Sequence, residues 1–283
     1  VELLRTIRDV RTAVGRARAA GKRIGCVPTM GYLHEGHAEL MRQAHQACDF
    51  VVVTIFVNPT QFGPNEDFER YPRDLERDAA LCQAIAVDVV FVPEVAEMYP
   101  DRPPLTTIRV QTLTATLCGA SRPGHFEGVA TVVAKLLNIV RPDVAYFGQK
   151  DAQQLAVIRR MVADLNMDFV EIIGVPIVRE PDGLARSSRN VYLSPAEREA
   201  APVLNRSLRL AEARVRAGER DMRALAQAMR AVISAEPLAI IDYVEIVDGQ
   251  TLQPIEHLEG PTLAALAVRF GRTRLIDNCT LEP

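Results

Sequence analysis

Residues 49–57, DFVVVTIFV, form an uninterrupted apolar run rich in β-branched side chains. Such a run suits a strand covered on both faces, since a strand with one wet face alternates apolar and polar residues instead. It needs helices above and below, and the flanking sequence supplies them. RIGCVPT (23–29) reads as a second strand, followed by a helix over 38–48. Helix 73–85 precedes strand DVVFVP (88–93), helix 126–140 precedes DVAYFG (143–148), and helix 152–165 precedes FVEIIGVPIV (169–178). Strand and helix alternating in this way predict an α/β fold, an open Rossmann-like parallel sheet with helices on both faces.

Beyond residue 176 the pattern changes. Two long helical stretches, 195–217 and 221–235, precede three strand-like runs, IDYVEIVD, TLAALAVRFG and TRLIDNCTL. Helices followed by strands predict a smaller α+β domain with an antiparallel sheet over 177–283, joined to the domain 1–176 through REPDGLARSSRN (179–190). The N-terminal 23 residues alternate charged and apolar positions at helical spacing, which reads as an amphipathic helix and not as a secretory signal. No apolar run approaches the roughly 18–20 residues that span a bilayer, so a cytoplasmic chain without a membrane partner is expected. The five cysteines contain no CxxC pair and read as reduced core thiols. A net charge of −3 gives no reason to expect nucleic acid as a partner.

Four segments carry residues suited to chemistry. PTMGYLHEGH (28–37) follows a strand and opens a helix, placing His34 and His37 outside the carboxyl end of the sheet, where open α/β sheets bind ligands. A helix N-terminus attracts phosphate, residues three apart share a helix face, and Gly36 would let a phosphate approach the backbone. HxxH could also begin a metal site, but no third ligand stands at suitable spacing and no metal ligand is assigned. FGQKDAQQL (147–155) also links strand to helix and holds Lys150, one of three lysines among 33 basic residues, with Asp151 and Gln154 nearby. LARSSRN (184–190) places Ser187, Ser188 and Arg189 in a Gly-containing loop expected to be mobile and able to close over phosphates. NPTQFGPNED (58–67) offers Gln61, a donor and an acceptor apt for a small hydroxy acid. This loop and YPDRPPL (99–105) are Pro-rich and expected to flank a cleft.

An HxGH element at the first strand and a late Ser-rich basic loop form the pattern of the HxGH nucleotidyltransferase superfamily. PTMGYLHEGH, FVNPTQFGPNEDFERYPR, RPGHFEGVATVVAKLLNIVRPDVAYFGQKDAQQL and DGLARSSRNVYLS together closely resemble the pantothenate synthetase (pantoate–β-alanine ligase) family, over essentially the whole chain. The resemblance implies two steps: ATP and pantoate form pantoyl adenylate and pyrophosphate, then β-alanine attacks the acyl carbon and AMP leaves. It implies Mg²⁺, a cytosolic homodimer and a place in coenzyme A supply.

Carried over by residue, it puts Met30, Gly31, Tyr32, Leu33, His34, Glu35, Gly36 and His37 along ATP, with His37 the usual candidate acid. Gly148, Gln149, Lys150 and Asp151 would hold nucleotide, and Val178 would meet adenine. Arg186, Ser187, Ser188 and Arg189 would cover the triphosphate, beneath a C-terminal domain that closes over the site. Gln61 and Gln154 would grip pantoate, with Gln61 also orienting β-alanine. Arg122 and His125 match positions near the ligand cleft, and Asp78 a neighbour of the metal or β-alanine. Arg186 departs from the usual uncharged residue. Two other readings share HxGH: a nucleotidyltransferase that adenylates a phosphate, and a non-catalytic ATP-binding regulator.

Overall fold

The computed structural model describes residues 1–64, 66–101 and 103–282; positions 65 and 102, inside the two Pro-rich loops, and 283 lie outside the described residues. The elements begin with β1 (Glu2–Leu4), α1 (Ile7–Ala19), β2 (Ile24–Thr29), α2 (Glu35–Ala47), β3 (Phe50–Ile55), α3 (Leu75–Ala84) and β4 (Val89–Phe91). They continue with α4 (Val95–Met98), α5 (Leu117–Ser121), α6 (His125–Val140), β5 (Val144–Gly148), α7 (Ala152–Asp164) and β6 (Glu171–Val175). The last are α8 (Pro195–Ala200), α9 (Val203–Arg216), α10 (Met222–Ser234), β7 (Ala239–Asp248), β8 (Thr262–Phe270) and β9 (Thr273–Leu281). Two compact units divide the chain. The first holds 1–110, 122–149 and 154–176, and the second 111–121, 150–153 and 177–283.

The first unit is built on a six-stranded sheet of order β1-β4-β3-β2-β5-β6, parallel throughout. The strand order reverses at β2 and β5, which pair directly. That reversal is a topological switch point, with a crevice outside the carboxyl ends of the two strands. The run at 49–57 is covered as expected: Val51, Val52 and Val53 are fully buried. Helix α2 turns Leu40, Met41 and Ala44 onto Val27, Val51, Val53 and Val90. Each such aliphatic side chain contributes about 1.5–3 kcal/mol of transfer free energy. Helix α6 is apolar on nearly every side and buries twelve of its sixteen residues, so it is a fixed support for what packs on it.

The N-terminus differs from expectation. Glu2–Leu4 are strand and not helix, pairing parallel with Val89–Phe91 at the sheet edge. Thr6 takes the N-cap, its hydroxyl accepting from the Asp9 N–H, so the helix cannot begin before Ile7.

The second unit carries the antiparallel sheet β7-β8-β9. Helices α9 and α10 cover it, with Leu204, Leu208, Leu225 and Met229 buried against Val244, Leu266, Val268 and Phe270. The stretch expected as one helix from 195 is broken, because α8 ends at Ala200 and Pro202 caps α9. A proline inside a helix has no N–H to give and its ring strikes the carbonyl four residues back, so the chain restarts there.

Candidate active site

Strand β2 ends at Thr29, whose hydroxyl donates to the Thr54 carbonyl (2.7 Å) and accepts from Gly31 N–H (3.1 Å). The chain then turns through two left-handed residues, Gly31 (φ 81°) and Tyr32 (φ 50°). A Cβ on Gly31 would sit 2.9 Å from Ile55 Cγ2, so glycine is required both by conformation and by space. Tyr32 sustains the left-handed strain because α3 holds it. Asp78 accepts from Tyr32 N–H and Leu33 N–H, both at 2.7 Å, while Arg77 donates to the Leu33 carbonyl (2.9 Å) and stacks 4.8 Å over the Tyr32 ring. Leu33 is fully buried beneath.

Asp78 is itself buried, and that burial raises its carboxyl above the usual range despite the two amide bonds and the charge of Arg77. Its oxygens are occupied in bracing this turn. Among the described residues no group of three His, Cys, Asp or Glu is placed to hold a metal. These residues therefore do not fit a resident metal centre.

The brace delivers His34 to the N-cap of α2 with extended backbone (φ −140°, ψ 179°). Its Nδ1 accepts from Gly36 N–H (3.1 Å), and His37 Nδ1 accepts from His34 N–H (3.3 Å). Two histidines thus build a reciprocal capping box, with ring centroids 4.1 Å apart. An acceptor Nδ1 leaves the proton of a neutral imidazole on Nε2, so both rings are Nε2–H donors.

Two expectations change. The amides of His34 and Gly36 are engaged inside the box, which leaves each imidazole a donor at Nε2. Gly36 is required because a Cβ there would lie 2.9 Å from His34 Cε1, which makes it a seat for the ring. Glu35 is tied to Arg42 at 2.6 Å on the same helix.

Gln61 is buried in a 3₁₀ turn, Pro59–Gln61, not in an open loop. Its Nε2 lies 3.1 Å from Met30 Sδ, and its Oε1 accepts from Asn58 Nδ2 (3.1 Å). Asn58 also bonds the Gly128 carbonyl (3.1 Å) and accepts from Tyr99 OH (3.0 Å). Arg122 and His125 both reach the Gln61 main-chain carbonyl. At the other side of the switch point, Gly148 ends β5, and the exposed Gln149 bonds the Gly174 carbonyl (3.3 Å). Gln154 is half-buried in the first turn of α7.

In the second unit, Lys150 is mostly buried (20% exposed), 3.7 Å from Asp151, and its carbonyl accepts from Asn278 Nδ2 (2.9 Å). The segment expected to be a mobile loop is a braced hairpin. Arg179 forks onto buried Asp277 (2.7 and 3.0 Å), Glu180 and Leu184 pair their backbones, and Val178 accepts from Arg186 N–H (2.9 Å). Gly183 (φ 93°) presses so near Asn205 that a Cβ would meet its Oδ1 at 2.4 Å. Ser187 caps a 3₁₀ turn, Ser188–Tyr192, by accepting from Arg189 N–H, and Ser188 is buried. Arg186 is turned onto Glu180 at 3.0 Å. All five cysteines are free, and burial pushes the thiols of Cys26 and Cys82 up to about 12, which makes them inert.

The profile of one family, described as pantoate-beta-alanine ligase, matches residues 2–280. The chain belongs to the pantoate–β-alanine ligase family. It is 62% identical to the pantothenate synthetase of Pelotomaculum thermopropionicum over 276 residues (98% of this chain, 97% of the relative). It is also 62% identical to that of Heliobacterium modesticaldum over 283 residues, all of both chains. A crystal structure of pantothenate synthetase from Thermus thermophilus superposes with TM-score 0.94 at 48% identity over the full length of both. The Francisella tularensis pantoate–β-alanine ligase, a structure complexed with β,γ-ATP and β-alanine, matches with TM-score 0.81 at 34% identity (99% of this chain, 97% of that one). A match along the whole length, and not the HxGH element alone, decides among the readings that element left open.

Within this ligase fold, sequence reasoning missed Asn58, Glu66 and Arg77. Asn58 and Glu66 lie within NPTQFGPNED, where attention went to Gln61, and Arg77 stands just beyond FVNPTQFGPNEDFERYPR. Arg77 and Asp78 carried one weak signal, a charged pair opening an amphipathic helix, and nothing in the chain order says that this helix clamps residues 32 and 33.

Proposed function

We propose that this chain joins pantoate to β-alanine at the expense of ATP, through pantoyl adenylate, and so makes pantothenate for coenzyme A synthesis. The observation that carries the reading is the histidine capping box at the carboxyl end of β2, on a switch point of a chain matched end to end by the ligase family. A pantoate carboxylate oxygen attacks the α-phosphorus of ATP, the bond to the β-phosphate oxygen breaks, and pyrophosphate leaves. The β-alanine amine then attacks the acyl carbon, loses its proton, and AMP leaves with the carboxylate oxygen. Adenylation is needed because a carboxylate oxygen is itself a poor leaving group.

His34 and His37 aim Nε2–H donors at phosphate oxygens as charge builds in the first step, the kind of preorganised stabilisation worth about 2.7–4 kcal/mol per donor. Neither imidazole is set up to act as an acid from the imidazolium form, because a second proton on Nδ1 would face a backbone N–H. Gln61, held between Asn58 and Met30, presents its amide to pantoate and then to β-alanine, with Gln154 as a second hold. The nucleotide roles of Met30–Leu33, Glu35, Gly36, Gly148, Gln149, Lys150, Asp151, Val178 and Arg186–Arg189 follow the family resemblance. No nucleophile is required of the protein. Mg²⁺ enters as the chelate of the ATP phosphates, since it binds through phosphate oxygens and water more readily than through a protein cage. A cytoplasmic homodimer rests on the resemblance alone; among the described residues, no helix is long and apolar enough to cross a membrane. Product analysis tests the reading: AMP and pyrophosphate should form one for one with the amide, and ADP as the stoichiometric product would refute it.

A further inference from the structure

The backbone of Gln61 is held more tightly than its side chain, by residues that the two chemical steps do not use. Its carbonyl lies 2.8 Å from His125 Nδ1 and accepts from Arg122 Nη2 at 3.4 Å. Arginine only donates, so the 3.0 Å contact between Arg122 Nη1 and His125 Nε2 makes that nitrogen the acceptor. The imidazole proton is thereby placed on Nδ1, pointing at the Gln61 carbonyl. Arg122 is in turn set by Glu66: Nε donates to Oε1 at 2.6 Å and Nη2 to Oε2 at 2.5 Å, a two-point fork. Both side chains are mostly buried, 16% and 26% exposed. From beneath, α6 presents Gly128 so closely that a Cβ would sit 2.4 Å from the Thr60 carbonyl and 2.7 Å from Gln61 N. The main chain at 60–61 is thus clamped between a helix backbone and a polar chain of three side chains that ends on Glu66.

We infer that Glu66 is a positioning residue for substrate: it orients Arg122, Arg122 selects the His125 tautomer, and together they fix the Gln61 backbone and hence the direction of its side-chain amide. The inference rests on the pantoate role given to Gln61 above. Glutamate suits the post because only a carboxylate accepts both arms of the fork. Glutamine at 66 would keep one acceptor and turn an N–H toward the guanidinium. Arg122 would then lose its fixed plane and His125 its tautomer, while the fold, carried by α6 and the sheet, would remain.

A double-mutant cycle between Glu66→Gln and Gln61→Ala tests this, read as the pantoate Kd by calorimetric titration beside the KM of ATP and the melting temperature. Glu66→Gln in the wild-type background should weaken pantoate roughly 5- to 20-fold and leave the ATP KM within about twofold, the size of a coupling through shared contacts. In the Gln61→Ala background, where no amide is left to aim, the same substitution should change pantoate binding less than about twofold. Arg122→Lys, which keeps the charge but not the fork, should weaken pantoate in the same way, and it serves if Glu66→Gln melts early. Equal losses with and without the Gln61 side chain, or an ATP KM that rises with the pantoate Kd, overturn the inference. A wild-type protein that neither binds pantoate nor forms an adenylate from it overturns the proposed function as well; an active wild type with an additive cycle overturns only the role of Glu66.

Discussion

His37 Nδ1 accepts the backbone N–H of His34 at 3.3 Å, so the second histidine of HxGH caps the first turn of the helix that carries it. One ring nitrogen accepts at the helix end and the other carries the proton, and substitution can separate the two jobs. Asparagine reproduces the reach of Nδ1, glutamine that of Nε2. His37→Asn should keep the cap and the melting temperature but lose adenylation by about 10²-fold or more. His37→Gln, a residue that itself closes a capping box from N3, should also keep the melting temperature, yet form pantoyl adenylate faster than His37→Asn because its longer amide reaches the place of Nε2. Single-turnover adenylate formation and thermal melting of both variants decide it. Equal inactivity of the two would point to an acid role that neither amide can fill.

Asp78 costs stability where it is charged, and the turn at Tyr32 is what that cost secures. Its folded carboxyl lies above the ordinary value of 3.8 because of burial, so the folded state keeps the proton to higher pH than the unfolded state does. The stability linked to that proton is complete below 3.8 and is lost as pH rises through the raised value. Asp78→Asn should flatten the stability–pH curve over that window. It should also slow adenylation about 10- to 100-fold, since one of two buried amides loses its acceptor at a cost of about 1–3 kcal/mol. Urea melts across the acid range, with adenylation rates alongside, measure both. An unchanged slope would show that Asp78 is not the group titrating.

Arg186 stands where the family resemblance implies an uncharged side chain, and the structure gives its guanidinium to Glu180 at 3.0 Å. A pair so placed, 34% and 25% exposed, is worth no more than about 1 kcal/mol. Arg186→Met should therefore leave the ATP KM within about threefold and the melting temperature nearly unchanged. A tenfold or larger rise in the ATP KM would mean that the cation serves the triphosphate.

Lys150 is one of three lysines in a chain that otherwise uses arginine, and only 20% of its side chain is exposed. An ammonium fits among phosphate oxygens where a planar guanidinium needs more room. Lys150→Arg should lose most of the adenylation rate, nearly as much as Lys150→Ala, with both folding normally. Near-native adenylation by Lys150→Arg would show that charge alone suffices.

The buried strands were legible because a strand covered on both faces must be apolar throughout, and the run at 49–57 is too short and too β-branched for a buried helix such as α6. Strand β1 was not, since three residues at a sheet edge carry no period and merge into the helix that follows. The break at Pro202 was written in the chain and outweighed by the helical spacing on either side of it. His34, His37, Gln61 and Lys150 stand in motifs that the chain order displays. The capping box is not displayed there, because it depends on a left-handed Tyr32 that only the brace from α3 sustains. Glu66 and Arg122 are 56 residues apart, and no local pattern announces a pair that tertiary packing creates.

Exchange of labelled pyrophosphate into ATP tests the central claim most directly, because it reports adenylate formation and nothing after it. The exchange should require pantoate and Mg²⁺, proceed without β-alanine, and fall about 10²-fold in His37→Asn. Exchange that needs β-alanine, or that runs equally well without pantoate, would contradict the account.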